Sequence, residues 1–350
     1  MRFVAATPQA MKEAAAVLRA GGLVAFPTET VYGLGADATN AAAVARVFEV
    51  KNRPRFDPII VHVADPSDLG RLCRSPGRKA ERLTERFWPG PLTVVLTASR
   101  SVPEIVRAGL PTVAVRMPSH PVALALIRGA GRPIAAPSAN PFGYLSPTCA
   151  EHVREQIGAQ LDLILDGGRC PVGLESTVID LTQADPVLLR PGGLPLEQIE
   201  EVIGRVKVSP RRGSRPRSPG QLSRHYSPRT PLRILHKEQP PPIDGRRRGL
   251  LAFKAPSDRS AYERVEILSP SGHLKEAAAN LFSCLQRLDK TDLDIIYAEP
   301  VPEVGLGRAI MDRLRRASTR GEAISLISEV GCDQGELTEK LKKCTKEKGI

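Results

Sequence analysis

An α/β fold in two unequal parts is predicted by three features of this sequence. Strand-like apolar runs alternate with helical ones over residues 1–207, a Pro/Arg/Ser-rich stretch without periodicity follows at 208–231, and a shorter alternation resumes after it. Adjacent strand-like runs at 92–96 and 112–117, with no helical pattern between them, make the larger sheet a twisted, mixed one. A chain of 350 residues also exceeds one typical core.

The opening MRFVA reads as a short strand. Residues 10–20 then repeat apolar positions at helical spacing as far as Gly21-Gly22, which suits a helix C-terminus. In order after it come LVAFPTE, a helix at 40–50, PIIVHV, a helix at 77–87, LTVVL, TVAVRMP and a helix at 120–129. PIAAPSAN, a helix at 149–157, LDLILDGG, STVIDL, VLLR and a helix at 195–204 complete the first part. Residues 208–231 read as a linker. Beyond it LRIL, GLLAF, RVEIL, an amphipathic helix at 274–288, LDIIYAE and a helix at 306–317 predict a smaller, Rossmann-like α/β unit over 232–330. A basic tail occupies 331–350.

Composition narrows the function classes. With 41% hydrophobic and 25% charged residues the chain is an ordinary globular one, and no apolar run approaches the roughly 18 residues of a membrane span. The N-terminus lacks the unbroken apolar core of a signal peptide, so a cytoplasmic location without a membrane partner is expected. Six scattered cysteines without a CxxC pair read as reduced structural thiols, and no metal-ligand spacing is present. A net charge of +12 favours an anionic partner, nucleic acid or a phosphorylated small molecule. Part of the excess is local, since residues 205–233 hold nine Arg or Lys and no acid.

Polar residues collect at strand ends, where open α/β sheets place ligands. PTETVYGLGAD puts Thr28, Glu29, Thr30 and Tyr32 beside Gly33 and Gly35, which permit close backbone approach. GLGADA satisfies GxGxxA, but PTETVY intervenes where a dinucleotide fingerprint needs an immediate turn. No GxxxxGK[ST] occurs, so side-chain cations become the natural substitute for a phosphate loop. Lys51, Arg53 and Arg55 in KNRPRFDP offer them; the plainer reading is a solvated helix end favoured by the dipole. Arg116 closes the run VAV, a position from which a guanidinium can grip a carboxylate, or simply pair with a structural acid. APSANPFGYLSPT supplies Ser138, Asn140, Ser146 and Thr148, donors for phosphate or ribose oxygens or else turn residues. Glu175, Ser176 and Thr177 enter a strand after DGGRCPVGL, and Arg190 ends another in LLRPGG. His62 sits among apolar neighbours, as a satisfied core histidine or as a ligand contact. No nucleophile–base dyad stands out, and the inventory suits adenylyl or phosphoryl transfer driven by positioning and charge neutralisation.

In this order PTETVYGLG, KNRPRFDPIIVHV, WPGPLTVVL, VAVRMPSHP, APSANPFGYLSPT, DGG, ESTVID and LRPGG closely resemble the YrdC-like domain of the threonylcarbamoyl-AMP synthases, over about residues 1–205. SPGQLSRHYSPRTPL followed by a small α/β unit resembles the longer, Sua-type subfamily. Gln221 stands where SPGM is usual, and Asp57 where Asn is more frequent. The resemblance implies synthesis of L-threonylcarbamoyladenylate from L-threonine, bicarbonate and ATP with release of pyrophosphate. The product would feed the N6-threonylcarbamoyl modification of adenosine 37 in tRNAs reading ANN codons, through handover to a tRNA threonylcarbamoyl transferase complex. Direct tRNA binding is expected to be weak.

The KxR and SxN elements fall on Lys51, Arg53, Ser138 and Asn140 as catalytic residues. Threonine contacts carry over to Thr30, Lys51, His62, Arg116 and Ser176, and ATP contacts to Arg53, Asp57, Ser138, Ser146 and Arg190. His225 and Tyr226 are expected as a lid. Mg2+ is expected to be held mainly by ATP phosphates and water, because carboxylates are scarce in these motifs. The first rival is a non-catalytic RNA-binding protein using the basic cleft, against which the 4% aromatic content counts. The second is a carbamoyl transferase of the hydrogenase-maturation type, which expects acylphosphatase and zinc-finger modules.

Overall fold

The computed structural model describes residues 1–209, 226–235 and 244–329, with side chains up to Ser318. Among them are two sheets. The larger has eleven strands, in the spatial order Arg2–Ala5, Leu163–Asp166, Val24–Phe26, Gly33–Asp37, Ile134–Ala135, Ile60–His62, Thr112–Arg116, Leu92–Thr97, Thr177–Asp180, Val187–Arg190 and Lys207–Val208. It is mixed: Ile60–His62 runs parallel to Thr112–Arg116, whereas Leu92–Thr97 runs antiparallel to that same strand. The smaller sheet orders Leu232–Ile234, Ile295–Ala298, Arg248–Ala252 and Arg264–Ile267, with every pair parallel. The linker residues 210–225, His225 among them, and the basic tail lie outside the described residues.

Local chemistry explains the elements that carry the site. The first helix, Pro8–Arg19, starts where the Thr7 hydroxyl accepts the Ala10 N–H at 3.2 Å, and ends before Gly21, whose φ of +82° suits glycine. Helix Ala41–Lys51 is capped by Asn40, which accepts the N–H groups of Ala42 and Ala43. It stops at Asn52 in the left-handed region, so that the Arg53 N–H returns to the Phe48 carbonyl at 2.9 Å. KNRP is therefore a helix stop, and the reversal carries Arg53 back under the sheet while Arg55 stays exposed.

Gly33–Asp37 is a strand the sequence reading did not assign. Its glycines make room for a ring: a Cβ on Gly35 would lie 2.8 Å from Phe26 Cε1 and 2.9 Å from Ile134 Cγ2. Because GLGAD lies extended between two antiparallel neighbours, GLGADA is no phosphate-binding turn.

Apolar clusters cover both faces of the larger sheet. Another joins the two parts of the chain: Val31, Leu145 and Leu174 pack with Tyr226 against Phe282 and Leu285 of helix Leu274–Asp289 and Leu314 of helix Gly307–Glu329. Among the described residues, no helix is long and apolar enough to cross a membrane, and Cys73, Cys149, Cys170 and Cys284 are free thiols.

Candidate active site

Strand register assembles the floor of a cleft. His62 pairs with Arg116, and Arg116 with Thr93, so the three side chains share one face across three neighbouring strands. Gly33 bridges to Ser138, which draws the loop after Ile134–Ala135 to the same end of the sheet. Ser176 stands just before its strand, and its Oγ lies 2.7 Å from Thr93 Oγ1.

The turn after Val24–Phe26 folds on its own hydroxyls. Thr28 Oγ1 accepts the N–H groups of Thr30 and Val31 and donates to the Val31 carbonyl at 2.6 Å. This presents Thr30 Oγ1 to Arg116, whose Nη1 donates to it at 2.8 Å. Arg116 Nε donates to the Gly90 carbonyl at 3.2 Å, and Nη2 lies 2.7 Å from Glu29 Oε1. Both members of that ion pair are buried, so it is screened little by solvent. Nε and Nη1 each donate one hydrogen bond, while Nη2 meets Glu29 as an ion pair without an aligned hydrogen bond, so its N–H groups can be offered to an anion.

On the opposite wall Lys51 Nζ donates to the carbonyls of Ser138, at 2.5 Å, and Asn140. Burial, with Arg53 nearby, pushes this ammonium well below its usual range. Asn140 Nδ2 donates to the Pro141 and Tyr144 carbonyls and so shapes the same loop. Arg53 pairs with Asp57 at 2.9 Å and donates to the carbonyls of Asp57 and Pro58.

The third wall is a chain of polar contacts. Ser146 Oγ donates to Glu175 Oε1 at 2.5 Å, and the other oxygen of Glu175 takes Arg313 Nε at 2.9 Å. Arg190 donates to the Ser176 carbonyl at 2.9 Å and to Ser176 Oγ at 3.2 Å. Tyr226, with φ +63°, is buried between Phe282 and Arg313.

These walls leave a cleft that is partly open to solvent. Of the residues expected at a site, Thr30, Arg53, His62, Arg116, Ser138, Ser176, Arg190 and Tyr226 line it. Lys51, Asp57, Asn140 and Ser146 stand behind its walls as their supports. Arg313 was not among the sequence candidates, although one sign of it was legible. It recurs four residues from both Ala309 and Ala317, an arginine on the buried stripe of its helix.

Two expected outcomes follow from this geometry. Burial, helped by the Arg116 charge, lowers the His62 pKa to about 3. The unfolded chain therefore binds the extra proton between pH 6.5 and about 3, and folding stability falls as pH drops through that window. In His62→Asn that contribution, on the order of a few kcal/mol, should be missing from urea titrations run between pH 7 and 4. An unchanged acid limb would show that the imidazole is not held neutral.

The second concerns Gly192. A Cβ there would fall 2.3 Å from the Glu175 carbonyl oxygen and 2.5 Å from Thr177 N, both backbone atoms. Gly192→Ala should displace the Ser176 segment and cost roughly 1–3 kcal/mol, read as a lowered urea midpoint together with weakened ligand binding.

A mixed α/β sheet whose strand ends present arginines and hydroxyls to one cleft, with no phosphate loop, defines a YrdC-like class of protein. Residues 16–192 match the Sua5/YciO/YrdC family, described as telomere recombination, and residues 194–319 match the threonylcarbamoyl-AMP synthase C-terminal domain. The threonylcarbamoyl-AMP synthase of Pyrococcus abyssi is 47% identical over 87% of this chain and 93% of its own length. That of Bacillus subtilis is 45% identical over 87% and 92%. The crystal structure of P. abyssi Sua5 complexed with L-threonine superposes with a TM-score of 0.83 at 45% identity, covering 88% of this chain and 94% of that one. The chain belongs to the Sua5/YciO/YrdC family and, carrying both domains, to its threonylcarbamoyl-AMP synthases.

Proposed function

We propose that this enzyme joins L-threonine, bicarbonate and ATP into L-threonylcarbamoyladenylate and releases pyrophosphate. The product would serve the N6-threonylcarbamoyl modification of adenosine 37 in tRNAs reading ANN codons, after handover to a tRNA threonylcarbamoyl transferase complex. The observation that carries this reading is Arg116. It is a buried guanidinium held by hydrogen bonds to Thr30 and Gly90 and by an ion pair with Glu29, and its Nη2 N–H groups, not hydrogen-bonded within the described residues, are left for a carboxylate. The relative solved with L-threonine shares 45% identity over 88% of this chain and 94% of its own.

In this reading threonine's carboxylate lies on Arg116, near the hydroxyls of Thr30 and Ser176 and the neutral ring of His62. Its uncharged amine combines with bicarbonate-derived CO2 and loses a proton, which leaves with the hydroxide of bicarbonate as water; the carbamate oxygen then attacks the α-phosphorus of ATP and breaks its bond to the oxygen bridging to the β-phosphorus. Arg53 and Arg190, with Ser138, face the phosphates. Their fixed cationic groups neutralise charge as it builds on the departing pyrophosphate. Lys51 and Asn140 hold the 138–144 loop against that cleft. Asp57 keeps Arg53 in place and Ser146 braces Glu175. Tyr226, which lines the cleft, shields it so that water does not consume the carbamate.

Glu175, which lines the cleft, is engaged by Arg313, and the buried Glu29 by Arg116. These residues do not form a cage for a metal ion, so Mg2+ enters as a companion of the ATP phosphates and water. Pure protein given ATP, bicarbonate and threonine should release pyrophosphate only when all three are present. ATP hydrolysis indifferent to threonine would refute the assignment.

A further inference from the structure

We infer that Arg313, on a helix of the C-terminal part, is a positioning residue for the nucleotide side of the cleft: it occupies Glu175 so that this carboxylate does not neutralise Arg190. The inference rests on the proposed placement of ATP phosphates at Arg190.

Four contacts support it. Arg313 is 1% exposed, and its Nε lies 2.9 Å from Glu175 Oε2. Its Nη1 donates at 2.9 Å to the carbonyl of Pro191, the residue after Arg190. The guanidinium lies over the Tyr226 ring, 4.7 Å from its centre. The helix also supplies Asp312, whose Oδ2 is 2.9 Å from Arg313 Nη1 and 3.1 Å from Arg316 Nε. Arg313 therefore keeps a charge partner if Glu175 is lost.

Glu175 has no comparable substitute. It lines the cleft with Arg190, and the two are near enough for their charges to interact. Its other oxygen accepts from the neutral Ser146 hydroxyl. If Arg313 is removed, this buried carboxylate loses the cation paired with it, and the Arg190 guanidinium, whose charge it already feels, is left to relieve it. An acid drawn onto Arg190 competes with any phosphate for the same positive charge. The two lesions are thus unequal. Loss of Arg313 turns Glu175 against the nucleotide, whereas loss of the Glu175 charge removes that competitor for Arg190.

The test measures equilibrium binding of ATP and, separately, of L-threonine to the full-length protein. The variants are Arg313→Met, Glu175→Gln and the double variant. Arg313→Met should weaken ATP about ten- to a hundredfold, with threonine affinity within about twofold, because Arg116 keeps its own partners. Glu175→Gln should change ATP affinity far less, and adding it to Arg313→Met should restore most of the loss. A helix serving only as scaffold would move both ligands together, and the second substitution would not restore binding.

Circular dichroism melts without ligand identify a variant that fails to fold. Arg313→Lys, which keeps the charge near Glu175, then serves as the reporter and should bind ATP within about fivefold of the parent. Equal ATP affinity in parent and Arg313→Met, equal weakening of both ligands, no recovery in the double variant, or a parent that binds no ATP each overturns the inference. Failure of the synthase reading shows up elsewhere, as ATP binding without threonine-dependent release of pyrophosphate.

Discussion

Arg116→Lys is expected to raise the KM for threonine about a hundredfold or more while leaving the protein folded. The guanidinium donates to the Thr30 hydroxyl and the Gly90 carbonyl, pairs by charge with Glu29 and still keeps the Nη2 N–H groups for a ligand. An ammonium has three donors in a tetrahedral arrangement and cannot make those contacts and also clasp a carboxylate in two places. Keeping the positive charge thus separates a requirement for planar geometry from one for charge alone. Arg116→Ala goes further. It strands Glu29 in a buried site, which costs roughly 3–5 kcal/mol and should appear as a large fall in the urea midpoint. The measurement is pyrophosphate release against threonine concentration, with ATP and bicarbonate saturating. A lysine variant with the parental KM would remove Arg116 from the substrate.

Lys51→Ala should abolish turnover, by about a thousandfold or more, and should also loosen the fold. The amine holds the carbonyls of Ser138 and Asn140, both on the loop that forms one wall of the cleft. Removing it orphans the buried Asn140 carbonyl, at roughly 1–3 kcal/mol, and leaves the Ser138 carbonyl with the Asn140 N–H alone. Lys51→Met separates the lost hydrogen bonds from lost volume, since it fills the space without donating. If Lys51 acts by holding the loop, the two variants should lose turnover to a similar extent. ATP affinity should then fall with them, because Ser138 shifts. A methionine variant whose turnover stays within threefold of the parent would remove Lys51 from the machinery. The experiment pairs single-turnover product formation with denaturant unfolding of the same samples.

KNRPRFDP shows how far the order of residues alone can be read. Asparagine before Arg-Pro at the end of an apolar helical pattern ends a helix, and the structure has Asn52 in the left-handed region at that point. The residue types fit an anion site as well. What the string does not disclose is that Arg55 stays in solvent while Lys51 and Arg53 are buried. For Lys51 that burial depends on carbonyls supplied by Ser138 and Asn140, nearly ninety residues away, whereas Arg53 meets Asp57 and the Pro58 carbonyl within the string. GLGAD shows the opposite failure. Glycine-rich and short, it lacks the β-branched pattern of a strand, and only the Phe26 ring packed over Gly35 explains why glycine is there.

The sequence by itself determined the α/β alternation, the mixed character of the larger sheet and most of the polar residues that meet in the cleft. These follow from local periodicity, turn chemistry and residue type, and each is written in a contiguous stretch. Tertiary structure alone decided which of those residues face the cleft and which support it from behind, and it brought Arg313 to Glu175 from 138 positions away. Such pairings depend on register between strands and on the packing of one part of the chain against the other. Neither is encoded within any single segment, because a buried charge becomes tolerable only when its partner arrives from elsewhere in the fold.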